Sequence, residues 1–141
     1  MRILLRESTE PYGKRKPLTT PADAAESVRE IMKEDNECFC VILLDAKNGL
    51  ISSEVITVGV LDACLVHPRE VFRTAIKNNA SAIVVAHNHP SGTTVPSAAD
   101  LALTKQIVES GKILDIRVLD HVIVAGSEIL SLREEKICRF A

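Results

Sequence analysis

The chain has 141 residues, a formal net charge of −2, and 46% hydrophobic, 26% charged and 3% aromatic residues. Those values describe one globular domain with enough apolar residues to build its own core. They exclude a disordered chain, a collagen-like repeat, a polycation that coats nucleic acid and an aromatic stacking platform for single strands.

Residues 1–19 read as a polar N-terminal arm, one strand followed by a loop at most. Arg2, Arg6, Lys14, Arg15 and Lys16 outnumber Glu7 and Glu10 in it. An anionic partner would meet the arm first, although a solvated tail is the simpler reading. No signal-like apolar stretch opens the chain, and the longest uncharged apolar run, Cys38–Leu44, is too short to span a bilayer. The expectation is a cytoplasmic protein, with no membrane partner and with Cys38, Cys40, Cys64 and Cys138 reduced.

The first helix is predicted from Thr20, a capping residue followed by Pro21, to about Asp35–Asn36, with Val28, Ile31 and Met32 on its apolar side. Phe39–Leu44 reads as a strand buried on both faces, and Cys38 and Cys40 beside and within it as small buried hydrophobes. Lys47-Asn48-Gly49 is a hairpin turn, returning as a strand over Leu50–Gly59. Val60–His67 reads as irregular. Val71, Phe72, Ala75 and Ile76 then give Pro68–Lys77 helical spacing. Ser81–Ala86 is a further buried strand, followed by a turn-rich loop over His87–Pro96 in which Gly92 serves a turn and Asn88 bonds locally. Ser97 caps a third helix that ends near Ser110–Gly111, and strands follow near Ile116–Ala125 and Glu128–Leu132. The fold class is α/β: a mixed β-sheet flanked by helices on both sides.

The informative segment is His87-Asn88-His89-Pro90 followed by Ser97-Ala98-Ala99-Asp100. In an extended chain His87 and His89 point the same way, with Cα atoms roughly 6.7 Å apart, so both imidazoles can converge on one ion. Asp100 falls in the first turn of the third helix, where the helix dipole favours the ionised carboxylate. Two imidazoles and one carboxylate suit Zn²⁺ and leave a coordination position open, the catalytic pattern. Ser97-x-x-Asp100 is equally a helix-capping pattern, which needs no metal. His67 and His121 read as structural residues.

These residues resemble the JAMM (MPN+/JAB) metalloprotease motif. His87-Asn88-His89-Pro90-Ser91-Gly92, with Val66–Phe72 upstream and Leu119-Asp120-His121 downstream, is similar to the RadC branch of that family, and the likeness runs from about Thr20 to Glu135. The resemblance implies a cytidine-deaminase-like fold for residues 20–141 and Zn²⁺ held by His87, His89 and Asp100. It also implies catalytic roles for an upstream Glu, as general base, and for Ser97, as hydrogen-bond donor to the oxyanion. Glu37, just before the first buried strand, matches the family's position for the base; Glu54 in the second strand is the alternative.

Two function classes follow. One is a zinc-dependent hydrolase of peptide or isopeptide bonds, with a protein or peptide substrate. The other is a DNA-repair-associated or mobile-element accessory protein that binds DNA or a protein without proteolysis. RadC proteins commonly carry an N-terminal helix-hairpin-helix region, for which the residues before Thr20 leave no room. That and the charge of −2 leave DNA binding weakly supported. Nothing in the sequence sets an oligomeric state.

Overall fold

Fully apolar segments need partners on both faces, and this chain supplies them by sandwiching one sheet between helices. The computed structural model describes residues 3–7, 10–32, 35–59 and 66–141. Its elements are β1 (Ile3–Glu7), α1 (Pro21–Arg29), β2 (Cys38–Leu44), β3 (Leu50–Val58), α2 (Pro68–Lys77), β4 (Ala82–Asn88), α3 (Ala98–Leu114), β5 (Arg117–Ala125) and β6 (Glu128–Ser131). The sheet has six strands in the order β1-β3-β2-β4-β5-β6. Only β4 and β5, joined through α3, run parallel; every other pair is antiparallel. The class expected from the sequence, a mixed sheet with helices on both faces, is the class observed.

Alternation along the two central strands builds two cores. Phe39, Val41 and Leu43 of β2 and Ile83 and Val85 of β4 face α2 and α3, meeting Val71, Phe72, Leu103 and Ile107. Cys38, Cys40, Ile42 and Leu44, with Ala82, Val84 and Ala86, face α1 through Ala24, Ala25 and Val28. The small β4 residues on that side let α1 come close. Both cysteines are buried and free, as expected of small hydrophobes, and burial pushes the Cys40 thiol well up. Each fully buried Phe or Leu contributes about 1.5–3 kcal/mol, so these layers hold the sheet and the site above it in place.

Several boundaries differ from expectation for identifiable reasons. Helix α1 stops at Arg29 because the N–H groups of Ile31 and Met32 both return to the Val28 carbonyl, closing the last turn. Helix α3 continues past Gly111 to Leu114, where Asp115 takes φ 58° as its C-cap. Gly111 is a close approach rather than a stop: a Cβ there would lie 2.5 Å from the Ile116 carbonyl oxygen. Strand β4 extends through His87 and Asn88 because both neighbours continue alongside it, pairing His87 with Phe39 and Ile123. Of the irregular Val60–His67 segment, residues 60–65, with Cys64, lie outside the described residues.

The first residues join the sheet. β1 pairs with β3, and Pro17 bridges Gly49. The Lys16 carbonyl accepts from Leu50 N–H at 2.9 Å, and Arg15 pairs with buried Asp45 at 3.3 Å. Arg15 is therefore committed to the hairpin turn, while Lys14 and Lys16 are exposed. Among the described residues no helix is long and apolar enough to cross a membrane.

Candidate metal centre

His87 is the penultimate residue of β4, and His89 follows the strand end, held there by its N–H bond to the Val124 carbonyl at 2.9 Å. Alternation puts both imidazoles on the α3 side of the sheet. Asp100, in the first turn of α3, approaches from above. His87 Nε2 lies 3.5 Å from Asp100 Oδ1, and His89 Nε2 lies 3.4 Å from Asp100 Oδ2. One ligand atom from each of His87, His89 and Asp100 falls within 4.8 Å of the other two. The expected cluster is thus assembled, with His87 and Asp100 buried and His89 at its open side.

The capping reading of Ser97-x-x-Asp100 holds, and it leaves the carboxylate within the candidate cluster. Asp100 N–H donates to Ser97 Oγ at 3.0 Å, and Ser97 N–H donates to Asp100 Oδ2 at 2.8 Å. This capping box turns the carboxylate toward the histidines. Burial works to raise the Asp100 carboxyl, but the neighbouring His87 ring and the bond from Ser97 N–H outweigh it and hold it well below the usual carboxylate range.

Hydrogen bonds around the rings set their tautomers. His89 Nδ1 lies 2.8 Å from the Thr93 carbonyl, which only accepts, so Nδ1 carries the proton. Thr104 Oγ1 donates to the Asp100 carbonyl at 2.7 Å and so accepts from His121 Nδ1 at 2.6 Å. His121 Nε2 is then the acceptor for His87 Nδ1–H at 2.7 Å. His121 is fully buried, and burial, reinforced by His87, keeps its pKa well below the ordinary value, which agrees with a neutral acceptor. The outcome is that the Nε2 atoms of His87 and His89 carry lone pairs and face each other at 2.7 Å. Two lone pairs beside an ionised carboxylate form a seat for a cation, so the residues present fit a metal ion.

Phe39 closes the site from below. Its ring stacks on His87 at 6.2 Å and meets His121 edge-on at 5.8 Å. Outside, Pro90-Ser91-Gly92 turns the chain away from β4, with Gly92 at φ 90°, the turn expected of it. A surface cavity of about 430 Å³ opens beside His89, walled by Arg29, Met32, Gly92 and Val124. A larger one of about 600 Å³, near Thr20 and Arg133, lies apart from the histidines and holds none of these ligands. Of the three candidate ligands only His89 lines the smaller cavity, whose Met32 and Val124 walls belong to the α1 side of the sheet.

The two candidate bases differ in placement. Glu37 is half-buried, directly before β2, and its carbonyl accepts from Gly59 N–H at 2.9 Å. The register pairs Phe39 with His87; carried two residues further, it sets Glu37 level with His89. Glu54 is buried opposite Val41, on the far side of β2 from the histidines, and accepts from the Thr74 hydroxyl of α2. Two strand spacings, roughly 10 Å, separate β3 from β4. Ser97 is exposed at the rim.

His67 is the N-cap residue of α2 and makes no side-chain cap bond. His121, read from sequence as structural, touches a candidate ligand directly, and Thr104 supports it. Their signals were present. Asp120-His121 is a polar pair among the apolar residues that follow Arg117 in β5, and Thr104 follows Asp100 by one helical turn. Asn88 reaches across to the chain at the start of β2, bonding Cys38 and Asn36.

A family model described as RadC-like JAB domain matches residues 18–137. Similar curated proteins include UPF0758 protein tlr1707 of Thermosynechococcus vestitus, 47% identical over 123 residues, covering 86% of this chain and 49% of the relative. A UPF0758 protein of Finegoldia magna is 42% identical over 134 residues, covering 94% of this chain and 58% of the relative. Another from Methanococcoides burtonii is 48% identical over 107 residues, covering 76% and 45%. The chain spans about half the length of the curated relatives it matches.

Proposed function

The chain belongs to the RadC-like JAB domain family, and on that premise we propose that it is a zinc-dependent hydrolase of peptide or isopeptide bonds. The observation that carries the reading is the pair of facing Nε2 lone pairs beside the Asp100 carboxylate. His87, His89 and Asp100 would hold Zn²⁺, which when bound supplies a Lewis acid that polarises a carbonyl and acidifies water near neutral pH.

This chain's own residues do the rest. Glu37 takes a proton from the attacking water and delivers it to the amide nitrogen. The C–O bond forms first, moving the carbonyl electron pair onto oxygen; that pair then re-forms the C=O bond as the C–N bond breaks, and the protonated nitrogen leaves as a neutral amine. The oxygen of Ser97 already accepts from Asp100 N–H, so its hydroxyl hydrogen is directed outward, to the carbonyl oxygen as that atom gains negative charge. A protein or peptide substrate is the partner this chemistry implies.

The test uses zinc-loaded protein on an internally quenched peptide library and on isopeptide-linked lysine substrates. Cleavage that needs the metal and disappears in Glu37→Gln supports the reading. Equal cleavage in parent and Glu37→Gln, or none in the parent on either substrate class, contradicts it.

A further inference from the structure

The Asn88 carboxamide behaves as a peptide group inserted into the sheet. Its Oδ1 accepts from Cys38 N–H at 2.6 Å, and its Nδ2 donates to the Asn36 carbonyl at 2.8 Å. One donor and one acceptor in one plane are what a neighbouring strand's backbone would offer β2 at this point. The main chain of β4 has stopped offering them, because it turns after Asn88 so that His89 can face His87. The side chain thus continues the ladder where the backbone has left it. It is only 7% exposed, so both bonds are sheltered from water.

The residue bracketed by those two bonds is Glu37. Asn36 is gripped before it and Cys38 after it from the β4 side, while Gly59 N–H holds the Glu37 carbonyl from the β3 side. The main chain at Glu37 is therefore fixed from both edges, although it lies outside β2 proper. The central residue of His87-Asn88-His89 links the two imidazoles to this glutamate: one three-residue segment carries two candidate ligands and the clamp for the base.

We infer that Asn88 is a positioning residue for Glu37, holding the general base in register with the metal ligands through a side-chain rung between β4 and the start of β2. This rests on the reading of Glu37 as the base, so its test has an arm that does not depend on hydrolysis. In that arm, amide hydrogen exchange is compared in the parent, Asn88→Ala and Asn88→Asp. Asp can still accept from Cys38 N–H but, ionised, cannot donate to the Asn36 carbonyl.

Exchange at Gly59, which Asn88 does not touch in this network, is the reporter. It is expected to rise at least about tenfold in Asn88→Ala and to rise in Asn88→Asp, while Ile83 and Val85 in β4 keep parental protection. Unchanged protection at Gly59, or an equal rise across all strands, overturns the clamp. The second arm records visible spectra of cobalt-loaded proteins. Asn88→Ala is expected to shift the bands in the parent background and to add nothing in Glu37→Gln, with cobalt stoichiometry unchanged. An equal shift in both backgrounds would mean that Asn88 acts through the histidines, and would overturn the assignment to Glu37. Absence of hydrolysis in the parent would count against the proposed function and leave both arms readable.

Discussion

Replacing His121 by Phe tests the hydrogen-bond chain that orients His87. The new ring retains the apolar contact made edge-on to Phe39 at 5.8 Å. It removes the acceptor of His87 Nδ1–H, 2.7 Å away, in a place where His87 and His121 both have 0% exposure. A buried donor left without a partner costs about 1–3 kcal/mol, and water cannot replace the lost acceptor without opening the core. The same bond holds the His87 tautomer that points a lone pair at His89, so its loss should lower zinc affinity about 10–100-fold. Thr104→Val removes the next link, 2.6 Å from His121 Nδ1, and should have a smaller effect of the same sign; Thr104→Ser should restore the parental value. Competition with a chromophoric chelator measures the affinity, and urea unfolding of the metal-free proteins measures the stability. Zinc affinity in His121→Phe within twofold of the parent would refute the tautomer argument. So would equal losses in Thr104→Val and Thr104→Ser.

Other outcomes follow from the same structure. Glu37→Gln should keep its zinc and lose hydrolysis by about 10²–10⁴-fold, whereas Glu54→Gln, which weakens a buried bond with Thr74, should lose stability and retain turnover; initial rates beside urea midpoints separate the two. Burial works to raise the Asp45 carboxyl, but hydrogen bonds from Gly49 and Lys47 N–H and from Arg15 hold it below its ordinary value. A folded pKa below the unfolded one gives stability that is complete above about pH 4 and lost as the pH falls further. Asp45→Asn should therefore flatten the acid limb of stability against pH in urea titrations. Gly111→Ala should force α3 off β5, because its Cβ would meet the Ile116 carbonyl oxygen at 2.5 Å; the expected cost is about 1–3 kcal/mol, read as a lower urea midpoint.

Periodicity and turn chemistry made much of this fold legible. β2 is seven consecutive apolar residues, and such a run has no stable place except between two layers. Thr20-Pro21 and Ser97-x-x-Asp100 announced two helix starts, and both form capping boxes. Helix ends were less visible because tertiary contacts decide them. Gly111 carries the local signature of a stop, yet the approach of β5 makes it a packing glycine inside a longer helix. A strand followed by a loop is legible in residues 1–19, but its partner is not, because pairing with the edge of β3 is a relation between distant segments.

The site divided in the same way. His87, His89 and Asp100 were legible because strand alternation and the first helical turn fix their directions. His121 and Thr104 were not, because their meaning depends on β5 lying parallel to β4 beneath α3, a relation between distant segments. Asn88 is visible in the sequence, but its partners across the sheet are not. Pointing away from its histidine neighbours looked like a local role, and only the β2–β4 register shows the rung it makes with Asn36 and Cys38.

The proposed function requires that the facing imidazoles and Asp100 be a metal seat. Elemental analysis of purified protein, beside His89→Ala, tests it most directly. About one zinc per chain is expected in the parent, after reconstitution where needed, and its loss in His89→Ala. A parent that takes up no zinc under reconstitution, or a His89→Ala variant that retains it in full, would mean that these residues are not a metal seat.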